Sequence, residues 1–283
     1  MPRLDAGSPL VLHAVPDDLE AAANLAFVAA HLTEYARAGT DRDAAAAVVV
    51  GDPNRCADLM AAGVPTVYVH PAGAAPGDSD TVDVAASIVC RQVPSWLARS
   101  FPAAARAGRS ETRVSALAPP KRFRSAGGGP AVQLTGGRQE PERIVAALRS
   151  ALRSAPRETD DPVPVLTDLP TVDWEELAHA LGEFTFTRVD IADWPRVLRR
   201  AGLLVATPTL LSTTFAQAAE LPLRLLPAAG RRQSRVRESL MVRTGGAATV
   251  PADVWPTGEG RAGELGGAAQ IARKIRQLCL APV

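Results

Sequence analysis

The sequence predicts an α/β fold of two Rossmann-like halves, each an open, doubly wound sheet, and three observations carry that expectation. Short apolar runs such as 46–51 (AAVVVG), 203–206 (LLVA) and 223–226 (LRLL) have strand length and little alternation, as expected of parallel strands covered on both faces. Helical patterns separate these runs, which is the grammar of βα units. Over 107–130 the chain turns rich in Gly, Pro, Ser and Arg without periodicity, and the same grammar then starts again.

From Leu10 the run LVLHAV is the first expected strand, followed by a helix from about Asp18 to Arg37. Leu19, Ala23, Ala26, Phe27, Ala30 and Leu32 share one face of that helix, which ends near Gly39. A strand over 46–51, a helix over 54–62 stopped by Gly63 and a strand over 64–70 form a βαβ unit. A further strand is expected within 81–89 and a short helix over 94–106. Residues 1–120 thus form a first, shortened domain, 121–130 a linker and 131–283 a second domain.

The second domain opens with a strand over 131–135, a helix over 141–153, a strand over 163–166, a helix over 173–181 and a strand over 184–189. From Asp193 to Pro227 a helix, a buried strand, a hydroxyl-rich turn, a second helix and a second strand follow without interruption. A helix near 235–242, a strand over 247–250 and a terminal helix over 264–279 complete the series.

With 283 residues and 47% hydrophobic residues, the chain can bury a real core in each of two domains. A formal net charge of +1 leaves no sequence-wide attraction to nucleic acid or to an anionic membrane. Cys56, Cys90 and Cys279 form no CxxC pair and read as buried free thiols in a reducing cytoplasm. The opening MPRLDAGSPL lacks the pattern of a secretory signal, and no run reaches the roughly 18 apolar residues of a membrane span, so a cytoplasmic location is expected.

In the Asp193 to Pro227 stretch, Thr207, Thr209, Ser212, Thr213 and Thr214 crowd hydroxyls between a strand and the first turns of a helix. Ligands of open α/β sheets bind at strand carboxyl ends, and the unpaired amides and dipole of a helix start favour an anion such as a diphosphate. The same residues also serve as ordinary helix caps in proteins that bind nothing there.

Residues 131–279 resemble the donor-binding domain of glycosyltransferases of the two-Rossmann-domain kind, called GT-B. In AVQLTGGRQEPERIVAAL, Gly136 and Gly137 stand between strand and helix, where small residues let a backbone approach a phosphate and Arg138 adds charge. The stretch from Val189 through Pro227 follows the family's order of uracil-contact loop, strand, phosphate turn, helix and Pro-led strand. The resemblance implies that Val189, Asp190 and Ile191 face the base and that Thr209, Ser212, Thr213 and Thr214 face the diphosphate. The segment PAAGRRQSRVRESLMVRTGGAATV resembles the family's closing segment, with Gln233 in the place of a sugar-binding polar residue, followed by Gly246 and Ala247.

More narrowly, the chain is similar to the cytosylglucuronic acid synthase-related proteins of nucleoside-antibiotic producers. That similarity implies transfer of a sugar from a UDP-sugar co-substrate, UDP-glucuronate being one candidate, to a small acceptor such as a pyrimidine base, with no tightly bound cofactor. Two departures stand out. The family's ribose-binding glutamate is replaced by Phe215, with Gln217 the nearby polar residue, and the first domain has room for only about one βα unit before Ala46. The rival expectation is therefore a non-catalytic nucleotide-binding subunit, with a protein partner covering the shortened first domain.

An inverting transfer needs a base for the acceptor proton. His13, at the carboxyl end of the first strand, is the candidate, with His70 the alternative and Asp17 or Asp18 as caps or assistants. His31 and His179 read as helix fillers. Arg231, Arg232, Arg235 and Arg237 are suited to a carboxylate or phosphate, or to a solvated helix end. Asp160 and Asp161 sit in a loop, and no DxD pair or His/Asp cluster points to a metal. A sugar-phosphate epimerase would need a His/Glu pair, which the sequence does not display.

Overall fold

The computed structural model describes residues 7–74, 86–100, 111–119, 123–135, 141–156, 161–256, 260 and 263–278. The chain divides into two compact units, one of Met1–Pro120 with Ala262–Val283 and one of Lys121–Arg261.

The first unit contains β1 (Pro9–Ala14), α1 (Leu19–Ala29), β2 (Ala36–Arg37), β3 (Ala46–Val50), α2 (Pro53–Ala61), β4 (Thr66–Val69), β5 (Ile88–Gln92), β6 (Thr112–Val114) and the returning helix α8 (Gly267–Leu278). Its strands are all parallel, in the order β2-β1-β3-β4-β5-β6. Every residue of β3 is buried, as its unbroken apolar run requires. Helix α2 starts where the Asp52 carboxylate accepts the Arg55 amide, with Pro53 in the first turn, and it stops before Gly63 at φ +78°.

Helix α1 ends at Ala29 rather than near Arg37. Its apolar stripe runs out after Leu32, the backbone tightens into bonds such as His31 to Val28, and Ala36–Arg37 pairs with β1 as an edge strand. Here the unit is abbreviated: β2 has 2 residues, and a 3-10 turn at Asp41–Asp43 replaces a crossover helix before β3. Its sheet still has six strands among the described residues. The sixth, Thr112–Val114, falls in the stretch read as aperiodic, because pairing with β5 rather than local propensity makes it a strand.

Helix α8 presents Ala268, Ile271, Ala272 and Ile275, all buried, along one stripe. It packs against α1, β3, β4, β5 and β6. This corrects the assignment of the terminal helix to a second domain of 131–283: its apolar stripe is spent on the first sheet. Cys56 and Cys90 are buried free thiols, pushed by burial up to about 11 and about 12. Cys279 lies outside the described residues.

The second unit contains β7 (Pro130–Leu134), α3 (Pro141–Ser154), β8 (Val163–Thr167), α4 (Thr171–Ala180), β9 (Phe186–Arg188), α5 (Trp194–Leu198), β10 (Leu203–Ala206), α6 (Leu210–Ala219), β11 (Leu223–Leu225), α7 (Arg231–Arg243) and β12 (Thr249–Val250). The order β12-β11-β10-β7-β8-β9, parallel except for β12, is the Rossmann order. Val132, Leu134, Ile144, Leu148, Val165 and Trp174 belong to its core.

The expected linker is packed where it is described. Phe123 is buried, the Ala126 amide donates to Arg199 O at 2.7 Å, and a Cβ on Gly128 would lie 2.2 Å from Arg200 O. Among the described residues no helix is long and apolar enough to cross a membrane. The exposed large apolar side chains among them are Val172 and Val242, both in the second unit, so the apolar face expected under a protein partner does not show there on the first.

Candidate functional site

Each sheet has one place where successive connections leave in opposite directions: between β1 and β3 in the first unit and between β7 and β10 in the second. Ligands of open α/β sheets bind outside the strand carboxyl ends at such points.

At the second switch point the hydroxyl-rich turn folds into a closed network. Thr209 caps α6 by accepting the Ser212 amide at 3.1 Å, and Ser212 Oγ accepts the Thr209 amide at 3.1 Å, a reciprocal capping box. Thr207 Oγ1 donates to Thr135 O at 2.8 Å, Ser212 Oγ to Thr207 O at 2.7 Å and Thr213 Oγ1 to Thr209 O at 2.9 Å. All of these residues are buried. The capping role is thus present, and the hydroxyl protons of Thr207, Ser212 and Thr213 are already committed to carbonyls. An anion at this helix start would be met by backbone amides and the helix dipole.

Gln233 joins this network from α7: its Oε1 accepts the Ala229 amide at 2.8 Å and its Nε2 donates to Thr135 O at 3.2 Å. That bond brings the start of α7, with Arg231, Arg232 and Arg235, to the carboxyl end of β7. Cations in a first turn oppose the helix dipole, so they are poorly placed for helix stability alone. Ile191 lies in the turn between β9 and α5, and Thr214 is buried within α6. Gly136, Gly137 and Arg138 lie outside the described residues, as does Asp160.

Phe215 is fully buried, so no carboxylate stands at that position. Gln217, two residues on, does not share its direction. Two residues along a helix are about 200° apart in direction, so the two side chains leave opposite sides. The Gln217 amide is buried, and neither of its polar atoms has a hydrogen-bond partner among the described residues.

At the first switch point His13 Nε2 lies 2.8 Å from Asp52 Oδ2. The two meet because His13 sits beside Val49 in register and Asp52 opens α2 just beyond the end of β3. Burial by itself would raise the Asp52 carboxyl, but the Arg55 amide and His13 hold it below its ordinary 3.8. An ionised Asp52 takes the Nε2 proton as its hydrogen bond and leaves Nδ1 as the acceptor nitrogen. Neither expected assistant does this: Asp18 caps α1 through the Ala21 amide, and Asp17 is exposed with a left-handed backbone, φ 59°.

His70 is held differently. Its Nε2 is 3.0 Å from Glu111 Oε1, Glu111 also binds Arg91 through both oxygens, and the ring packs edge-on against Tyr68. The Arg91 bond first, against burial, keeps the Glu111 carboxyl below its ordinary 4.5. This is a His/Glu pair that 41 positions of sequence separation concealed. With 4% of its side chain exposed against 27% for His13, His70 is the less accessible base. His31 follows α1 in a turn and His179 is exposed on α4.

A cavity of about 990 Å3 opens at the amino ends of β7 and β8, lined by residues including Pro130, Pro162, Pro164, Arg196 and Arg200. None of the switch-point residues lines it, and those of the second unit gather at the other end of the strands. Among the described residues no group of three or more His, Cys, Asp or Glu could hold a metal ion.

The family model of CGA synthase-related proteins matches residues 10–283. Among solved structures the chain is similar to the glycotransferase of kitacinnamycin, at 13% identity over 98% of this chain and 95% of that one, with a TM-score of 0.48. It is similar to MurG of Acinetobacter baumannii at 13% identity over 92% and 78%, TM-score 0.46, and to the glycosyltransferase SnogD from Streptomyces nogalater at 15% over 94% and 77%, TM-score 0.37. No curated protein matches the sequence.

Proposed function

Since the chain belongs to the family of CGA synthase-related proteins, we propose that it is a glycosyltransferase that moves a sugar from a UDP-sugar to a small acceptor such as a pyrimidine base. UDP-glucuronate is the first donor to test, because Arg231, Arg232 and Arg235 at the start of α7 suit a second anionic group. The observation that carries the reading is the His13 pair with Asp52 at a switch point. In an inverting transfer the acceptor atom bonds to the anomeric carbon, the bond from that carbon to the diphosphate breaks, and the acceptor proton passes to His13 Nδ1. Asp52 stabilises the imidazolium that results. The amides at the start of α6 would receive the diphosphate charge.

A second reading, a nucleotide-binding subunit without turnover, is favoured by the buried Phe215 and by the committed hydroxyl protons of the turn. The His70 pair with Glu111 speaks for an epimerase, but Arg91 occupies both Glu111 oxygens and His70 is buried. Calorimetric titration with UDP, UDP-glucuronate and UDP-glucose, followed by a transfer assay with cytosine, separates these. Saturable binding with transfer supports the transferase. Binding without transfer supports the subunit, and no binding overturns both.

A further inference from the structure

Gln133 is a polar residue in the middle of a strand whose five residues are all buried, and it is itself 0% exposed. An apolar side chain would fill that place without the cost of burying an amide. Its partners say what the amide does. The indole N–H of Trp194, a fully buried side chain at the start of α5, donates to Gln133 Oε1 at 3.2 Å. Because an indole only donates, this contact fixes which amide atom faces it. Gln133 Nε2 then donates to Thr135 Oγ1 at 3.3 Å, Thr135 Oγ1 meets Thr209 Oγ1 at 3.4 Å, and Thr209 Oγ1 donates to Ser212 Oγ at 3.3 Å.

The bonds therefore run one way, from the start of α5 through β7 to the cap of α6. These are the two helices on either side of β10 in the chain, one preceded by the turn that holds Ile191 and the other starting at the hydroxyl-rich turn beside the switch point. We infer that Gln133 is a positioning residue, which sets the start of α5 and the cap of α6 in one register for a ligand that touches both. This rests on the proposed reading that the ligand is a nucleoside diphosphate, whose base and phosphates engage two separate elements.

The test uses the full chain with Gln133→Leu, which keeps the bulk and removes both bonds, together with Thr135→Val and Thr135→Ser. Kd for UDP and for inorganic pyrophosphate is measured by calorimetry, with thermal midpoints as the control for folding. The expected result is a rise of about ten-fold in the UDP Kd for Gln133→Leu and Thr135→Val, recovery with Thr135→Ser, and an unchanged pyrophosphate Kd. Equal losses for UDP and pyrophosphate, or a UDP Kd like that of the unaltered protein, would overturn the inference while leaving the nucleotide reading intact. If Gln133→Leu does not fold, the two Thr135 variants decide the matter alone. Failure of the unaltered protein to bind UDP would overturn the nucleotide reading and the inference with it.

Discussion

The carboxyl edges of the two sheets are built from different chemistry. The first gathers groups that exchange protons or carry charge: His13 with Asp52, and His70 with Glu111 and Arg91. The second gathers neutral hydroxyls and amides, Gln133, Thr135, Thr207, Thr209, Ser212, Thr213 and Gln233, all buried and bonded to one another or to backbone. An edge of buried hydroxyls and amides, with the arginines at the start of α7 beside it, can hold a charged ligand without titrating, and an edge with a partly exposed imidazole can move a proton. On the proposed reading, the contrast would give proton transfer to one unit and anion binding to the other.

The strongest way to break that comparison is His13→Ala. If the division holds, kcat/KM for transfer falls by about 10²- to 10⁴-fold while the Kd for UDP stays as it was. Asp52→Asn gives a smaller loss in the same direction. A large change in UDP affinity in either variant would dissolve the distinction between the two edges.

Acid provides a second way. Glu111 and Asp52 have folded values below their ordinary 4.5 and 3.8. The unfolded chain therefore binds more protons in that window, and the stability these groups contribute is present above the ordinary values and lost as pH falls through the depressed ones. Hydrogen exchange followed from about pH 6 to about pH 3 should show β4 and β5 losing protection before β7 and β10, and Glu111→Gln should narrow the gap. Equal loss in both sheets would show that the paired carboxylates Glu111 and Asp52 do not set the acid sensitivity.

The smallest effect concerns two residues other than glycine with left-handed backbone, Asp17 in the first unit and Glu220 at the end of α6 in the second. Glu220→Gly should raise stability by about 0.5–1 kcal/mol, because glycine carries no Cβ penalty there. The surface ion pair of Glu220 with Arg124 is worth little against that. Asp17→Gly should gain less, since aspartate tolerates this conformation better than glutamate. Thermal unfolding of the two variants side by side would measure the difference.

Much of the fold was legible because the central strands are continuous apolar runs: AAVVV in β3, TVYV in β4 and LLVA in β10 leave few alternatives. Legibility failed where tertiary pairing decides. TRV becomes β6 only beside β5, and two residues of the expected α1 pattern become β2 beside β1. In the candidate site His13 was readable from its place at a strand end, but Asp52 was not, since an aspartate before Pro53 reads as a cap and is one. Gln133 did leave a signal, a single amide within an apolar strand run. Glu111 left none, because what brings it to His70 is the order of the sheet.

The return of α8 to the first sheet has a consequence for how the protein comes into being. During synthesis the strands of the first unit emerge early, yet the helix that covers β3 to β6 is made only after the whole second unit. The second unit is continuous in the chain and can close as soon as it leaves the ribosome. The first must wait with one apolar face of its sheet open, so the half that is made first is the half that finishes last, and it is there that a chaperone has most to protect.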